Sequence, residues 1–219
     1  MSPSTAVAPE LDRSLSVAMR EGSRAEHDAV EQSSFMAELL GGRVNVQGYG
    51  DYLLRLRAVY RTLETVVRAH NNDPLVAAVY DPALERLAAL DDDLDYWLPD
   101  APREVDSPAA QEYCARIADA DWGGVLVAHH YTRYLGDLSG GQAIGRILDR
   151  TFRLAGAGLA FYAFSMRAKP YKDAYRTRLD RLGIDDDGID RVVDEVKVAF
   201  GLNQAIFDEL TANLDTYRQ

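Results

Sequence analysis

The chain has 219 residues, 47% hydrophobic and 27% charged, which is the balance of a soluble globular protein long enough to bury one self-sufficient core. A formal net charge of -11 argues against a nucleic-acid partner, because phosphate contacts need a dense positive stripe. The single cysteine, Cys114, rules out an internal disulfide or a thiolate metal knuckle and fits a reducing compartment. No apolar run approaches the roughly 20 residues of a membrane helix. The opening MSPSTAVAPE lacks the pattern of a secretory signal and the closing DELTANLDTYRQ lacks that of a tail anchor. The expectation is a cytoplasmic protein with no membrane anchor.

Residues 1–10 read as a disordered tail and residues 11–215 as one domain. Apolar residues recur three and four apart between glycine and proline breaks, with almost no strand-like alternation, so the fold class is all-α. A first helix is predicted from about Leu11 to Val30, and a short one ends at Gly41-Gly42. Asn45 can cap a long helix to about His70, and Asp81-Pro82 opens another to about Leu98. Ser107-Pro108 supplies a cap followed by proline at the first helical position. Further helices run from about Gly124 to Arg150, Pro170 to Leu182, and Asp186 to Leu214.

In the first helix, His27 stands one turn before Glu31. From the local pattern alone a surface ion pair is the more common reading, and a carboxylate that orients a metal-ligating imidazole is the other. Arg20 shares the His27 face at roughly 10 Å along the axis. His129 and His130 are neighbours that point about 100° apart with no acidic ligand set, so they read as structural. His70 closes a helix, where the dipole favours a cation. No pair of ExxH motifs suggests a di-iron centre.

The densest signal is VLVAHHYTRYLGDLSGGQAIGRILDR, a helical pattern interrupted by Gly136, Gly140, Gly141 and Gly145. Each glycine costs about 1 kcal/mol against alanine inside a helix. Two readings stay open. One is a small-residue seam for tight helix packing; the other is bare backbone laid against a flat ligand, with Asp137 and Ser139 beside it and a kink at the Gly-Gly pair. A phosphate loop is excluded, since no GK[ST] follows. The last helix carries an apolar stripe of Ile189, Val192, Val193, Val196, Phe200, Phe207 and Leu210 that includes Asn203. A buried amide there requires polar partners. Between Arg167 and Arg181 the chain becomes basic, although a solvated helix face accounts for that as well.

Taken together, AEHDAVEQSSFMAELL and HHYTRYLGDLSGGQAIGR resemble the proximal and distal signature segments of the heme oxygenase family, especially its soluble bacterial members. The likeness runs from about Leu15 to Leu210 and includes FYxF at Phe161–Phe164 and YKDxYR at Tyr171–Arg176. It implies an all-α, single-domain bundle holding heme b between a proximal helix and a kinked distal helix. His27 matches the iron ligand and Glu31 its carboxylate partner. Gly136 and Gly140 match the glycines on the distal heme face, and Asp137 matches the catalytic aspartate, which holds water. Tyr60, Tyr113, Arg133 and Asn203 match the network around it. Arg20, Tyr131, Arg167 and Arg176 match propionate contacts, with Ser139 and Phe200 also at heme-lining positions. Arginine at Arg20 and Arg167 departs from the lysine common in relatives, and Lys169 is a nearby substitute for the second.

The resemblance implies an enzyme that cleaves heme at the α-meso carbon to biliverdin, carbon monoxide and ferrous iron, using O2. Electrons come from outside, since no flavin or nicotinamide motif is present. A ferredoxin or an NAD(P)H-dependent reductase could dock on the basic stretch. The competing readings are a heme carrier without catalysis and a helical bundle without heme. A carrier has no use for a proton-delivering set.

Overall fold

A computed structural model describes residues 13–219; the tail expected over residues 1–10 lies outside the described residues. Where one helix was expected at the start, there are two, α1 (Leu15–Gly22) and α2 (Arg24–Glu31). The break falls at Ser23, whose buried hydroxyl donates back to the Met19 carbonyl at 2.7 Å. Serine back-bonding of this kind competes with the helical ladder and bends it. The helix that follows, α2, has no buried residue along its length.

Capping by α3 (Ser34–Leu40) and α4 (Val46–Ala69) follows the sequence closely, for Asn45 accepts from the Gly48 amide as expected. A short helix, α5 (Pro74–Val79), was not expected; Asp73 caps it by accepting from Leu75 and Val76. Asp81-Pro82 opens only a 3-10 turn, Pro82–Leu84, and the following helix α6 (Leu87–Trp97) starts later. Its first amides are satisfied from another helix. Glu64 of α4, buried, accepts from the Arg86 amide at 2.6 Å and the Leu87 amide at 3.0 Å.

Ser107 and Pro108 start α7 (Pro108–Ala118) as expected. The glycine-broken run begins as α8 (Gly123–His130), widens into two π-helical turns over Tyr131–Leu135 and Asp137–Gly141, and closes as α9 (Gln142–Phe152). Three helices complete the chain: α10 (Ala168–Leu179), α11 (Asp186–Ala212) and α12 (Leu214–Tyr217). Among the described residues the only extended pairing is a single bridge, Val44 with Arg218. The all-α class is thus observed, and the C-terminus stays attached, since the Gln219 amide donates to Arg43 at 2.9 Å.

Two long helices organise the core. α4 packs on α6 and α7, while α11 packs on α1, α2, α7 and α8 and touches the first π-helical turn. Tyr49, Tyr60, Tyr113 and Phe35 are fully buried between them. Cys114 is half-buried beside this core as a free thiol, pushed above its ordinary pKa by burial. No helix among the described residues is long and apolar enough to cross a membrane.

The loop after α9 is held by one carboxylate. Asp93 is 1% exposed and accepts from the amides of Ala160 at 2.7 Å and Phe161 at 2.8 Å, capping the 3-10 turn Ala160–Tyr162. Replacing Asp93 with alanine leaves the buried Phe161 amide and the part-buried Ala160 amide without partners. We expect Asp93→Ala to lower the unfolding free energy by about 3 kcal/mol, read from urea denaturation. A loss below about 1 kcal/mol would show that the loop repacks without this cap.

Candidate active site

The four glycines of the broken helix divide into two faces with different tasks. A Cβ added at Gly141 would lie 3.6 Å from the Tyr162 ring, and one at Gly145 would lie 3.0 Å from Tyr162. These two glycines form a packing seam. At Gly136 and Gly140 an added Cβ meets no atom within 4 Å, and both are exposed together with Ser139. Their backbone therefore borders open space. Gln142 secures the second π-helical turn by donating to the Asp137 carbonyl at 3.3 Å and the Tyr162 carbonyl at 3.0 Å.

Behind the open face lies a buried polar cluster. Asp137 is 6% exposed and Arg133 is 8% exposed, one helical turn apart, with 3.9 Å between nitrogen and carboxylate oxygen. Tyr60 of α4 donates a short hydrogen bond to Asp137 and accepts from Arg133 Nε at 3.2 Å. Arg133 also donates to the Asn203 side-chain oxygen at 2.5 Å, and the Asn203 amide donates to the Ala199 carbonyl at 3.1 Å. The buried amide expected in the last helix has found its partners. Burial raises the Asp137 carboxyl above its ordinary pKa, against the pull of Arg133, Tyr60 and Arg86. Arg133 stays charged despite burial because Tyr60, Asp137 and Tyr113 favour its cation.

Tyr113 lies in the same interior, its hydroxyl pushed up to about 12 by burial. Asn203 is adjacent, yet the hydroxyl makes no hydrogen bond of sound geometry among the described residues. Neighbouring it is His129, fully buried, whose Nε2 lies 2.9 Å from Glu195. His130 is buried too, with Nδ1 2.8 Å from the Tyr175 hydroxyl; burial first, and Arg178 second, hold it down at about 3. Both histidines are buried and hydrogen-bonded within the protein, which fits their reading as structural groups.

On α2, His27 is half-exposed, its ring edge-on to Phe200 of α11 with centroids 5.5 Å apart. Glu31 lies 3.8 Å from His27 Nε2 and Asp28 lies 3.6 Å from Nδ1. Neither distance is a hydrogen bond, so the imidazole is flanked by two carboxylates and held by neither. Tyr131, at the start of the π-helical stretch, is raised by burial and feels the guanidinium groups of Arg176 and Arg20. That places α1, the broken helix and α10 around one edge of the opening. Arg176 also pairs with Asp173 at 3.4 Å.

One residue of this edge was not singled out from the sequence. Lys172 donates to Ser139 at 2.7 Å, spanning from α10 to the open glycine face. Arg167 stands exposed at the N-terminal boundary of α10 and Lys169 pairs with Asp173, so Lys172 is the α10 lysine brought to Ser139. Only its position on the helix, one turn before Arg176, distinguishes it in sequence from the other basic residues of the stretch.

The fold and this site define a helical domain with a half-exposed imidazole, a bare backbone wall, a cationic edge and a buried carboxylate cluster. The chain belongs to the heme oxygenase family, whose model matches residues 13–209. It is 35% identical to a heme oxygenase of Rhodella violacea, over 92% of this chain and 89% of that one. Heme oxygenase 1 of Rattus norvegicus is 37% identical over 94% of this chain and 75% of its own length. Among solved structures, heme oxygenase-1 of the cyanobacterium Synechocystis in complex with heme superimposes with a TM-score of 0.88 at 34% identity, covering 93% of this chain and 95% of that one. Heme oxygenase-2 of Synechocystis, in complex with heme and NO, gives 0.89 at 31% identity, covering 93% of this chain and 88% of that one.

The cluster predicts a specific acid response. Burial opposes the charge of Glu195, but hydrogen bonds from His129 and Arg116 outweigh it and hold the carboxyl at about 2 rather than 4.5. A depressed carboxylate contributes stability that is complete above about 4.5 and is lost as pH falls towards about 2, on the order of 3 kcal/mol. Glu195→Gln should flatten the stability–pH curve across that window. An unchanged curve would remove Glu195 from the acid response.

Proposed function

We propose that the open face binds heme and that the chain opens its ring at the α-meso carbon, giving biliverdin, carbon monoxide and ferrous iron from O2 and external electrons. The observation that carries this reading is the exposed glycine wall backed by a buried, proton-accepting carboxylate. The residues fit a flat macrocycle. Gly136 and Gly140 give a backbone surface with nothing in front of it, and Arg20, Tyr131, Lys172 and Arg176 set cations and a hydroxyl along one edge for carboxylates. His27 is the accessible imidazole for the iron, with Phe200 supporting its ring and Glu31 one turn on at 3.8 Å.

When bound, heme supplies both the iron that activates O2 and the ring that is cut. The protein's share is positioning and proton supply. With no side chain at Gly136 or Gly140, the backbone wall would let a flat ring approach closely. Asp137 holds and exchanges protons at its carboxyl oxygens, because burial keeps its protonated form within reach. Tyr60 and Arg133 fix the direction of that carboxylate, and Asn203 holds the Arg133 guanidinium. Tyr113 extends the same polar interior.

Electrons arrive from a separate donor, a ferredoxin or an NAD(P)H-dependent reductase. Its docking surface is the basic run from Arg167 to Arg181, which is exceptional in a chain of net charge -11. We place the reaction in the cytoplasm, in keeping with the lone free cysteine.

Mixing the protein with heme should produce a Soret band, and ascorbate or a ferredoxin system in air should convert it to the biliverdin spectrum. A heme spectrum that never yields biliverdin would sink the enzymatic reading in favour of a carrier. Gly140→Leu should keep the fold, since its Cβ has no neighbour within 4 Å, while weakening heme binding at least about tenfold through the filled wall. Asp137→Ala should still bind heme but form biliverdin roughly a hundredfold more slowly in single turnover. Undiminished biliverdin formation would contradict the role given to Asp137.

A further inference from the structure

A line of aromatic rings leads from Tyr60 to the surface, away from the ligand face. Tyr60 meets Phe161 edge-on with centroids 5.5 Å apart, and Phe161 meets Tyr162 at 5.0 Å. The Tyr49 hydroxyl donates to that of Tyr162 at 3.3 Å, and the Tyr49 ring meets Trp97 at 4.9 Å. Trp97 in turn meets Tyr96 at 5.4 Å. Tyr49, Tyr162 and Trp97 are buried, whereas Tyr96 is 50% exposed and is the only exposed aromatic side chain among the described residues. Packing alone does not call for hydroxyls here. Phe161 shows that phenylalanine fits this interior, while the hydroxyls of Tyr49 and Tyr162 are taken out of water and, among the described residues, bond only to each other.

We propose that this line is an outlet for oxidising equivalents, carrying them from the ligand face through Tyr60, Tyr162, Tyr49 and Trp97 to Tyr96. Tyrosine and tryptophan are the aromatic side chains that give up one electron most readily, so Phe161 serves only to bridge Tyr60 to Tyr162. Each interior relay has a group that holds its proton. Tyr60 donates to Asp137, Tyr49 donates to Tyr162, and the Trp97 indole N–H donates to the Gly158 carbonyl at 2.7 Å. The exposed end is fixed in place, because the Tyr96 ring lies so close to Gly158 that a Cβ there would strike it. The oxidant is hydrogen peroxide, reduced at the bound heme. One peroxide takes two electrons and two protons, supplied by the Tyr96 hydroxyls of two molecules, and becomes two waters. The two phenoxyl radicals then join through a carbon–carbon bond between their rings as one dityrosine. Oxidation is thereby drawn away from Tyr60 and Asp137.

The outlet rests on the heme-binding half of the proposed function, and its readout is a covalent product rather than biliverdin. Heme-loaded protein treated with hydrogen peroxide should give dityrosine fluorescence and a denaturant-stable dimer, with the cross-link mapped to Tyr96 by mass spectrometry. The heme-free protein under the same peroxide should give neither. Tyr96→Phe should lose the cross-link while its Soret band and biliverdin formation stay as in the unaltered protein. Trp97→Phe and Tyr49→Phe keep a ring at each position and leave Tyr96 in place, and each should lose most of the cross-link. In all three variants the tyrosyl radical trapped by rapid freezing should change its electron paramagnetic resonance line shape, because it rests on a different ring. A cross-link undiminished in both Trp97→Phe and Tyr49→Phe, a cross-link mapped to another tyrosine, or no dityrosine from protein that shows a Soret band would overturn the proposal. Absence of the Soret band itself would overturn the heme-binding reading, and the outlet with it.

Discussion

A guanidinium taken out of water needs compensation from every side, and Arg133 imposes that condition on the whole interior. It is 8% exposed, and its nearest carboxylate oxygen is 3.9 Å away, so a single ion pair does not satisfy it. Tyr60 from α4 and Asn203 from α11 supply the remaining contacts, and the Tyr60 ring also lies beneath the cation at 5.1 Å. The two longest helices of the fold are therefore fixed relative to the broken helix by polar geometry as well as by apolar packing. Apolar contacts tolerate small slips; a forked donor with named acceptors does not.

The glycines settle differently from either reading taken alone. Gly141 and Gly145 form the packing seam, with Tyr162 close against both, while Gly136 and Gly140 leave open space. The two π-helical turns lie where the chain must serve both faces within a few residues. Asp137 points inward next to Gly136, which lies outward, so the buried carboxyl and the bare wall are adjacent in sequence and separated only by the thickness of the helix. Few arrangements bring a carboxylate so near a ligand surface while keeping it out of bulk water.

Legibility in the sequence followed the range of the signals. Asn203 stood out because one amide interrupted an apolar stripe, and Asn45 and Ser107 act on amides three residues away. The start of α6 was misplaced because its capping carboxylate, Glu64, lies 22 residues away. The split at Ser23 depends on one hydroxyl choosing its own helix as acceptor, which composition does not reveal. Lys172 was hidden among similar cations, since only the distance to Ser139 singles it out. The spacing put Glu31 one turn from His27 but could not set their distance, which at 3.8 Å is too long for a hydrogen bond.

A pocket that only stores a macrocycle is most stable with an apolar wall behind it. Replacing a buried ion pair by well-packed apolar residues is often neutral or stabilising. Here Arg133, Asp137, Tyr60, Asn203 and Tyr113 occupy the interior behind the ligand face, and burial pushes the Asp137 carboxyl towards its protonated form. That arrangement sacrifices part of the stability an apolar core would provide. What it gains is a buried carboxyl whose hold on a proton is strengthened by burial, set directly behind the open ligand face. Chemistry that consumes protons at the ligand needs this combination, and binding alone does not.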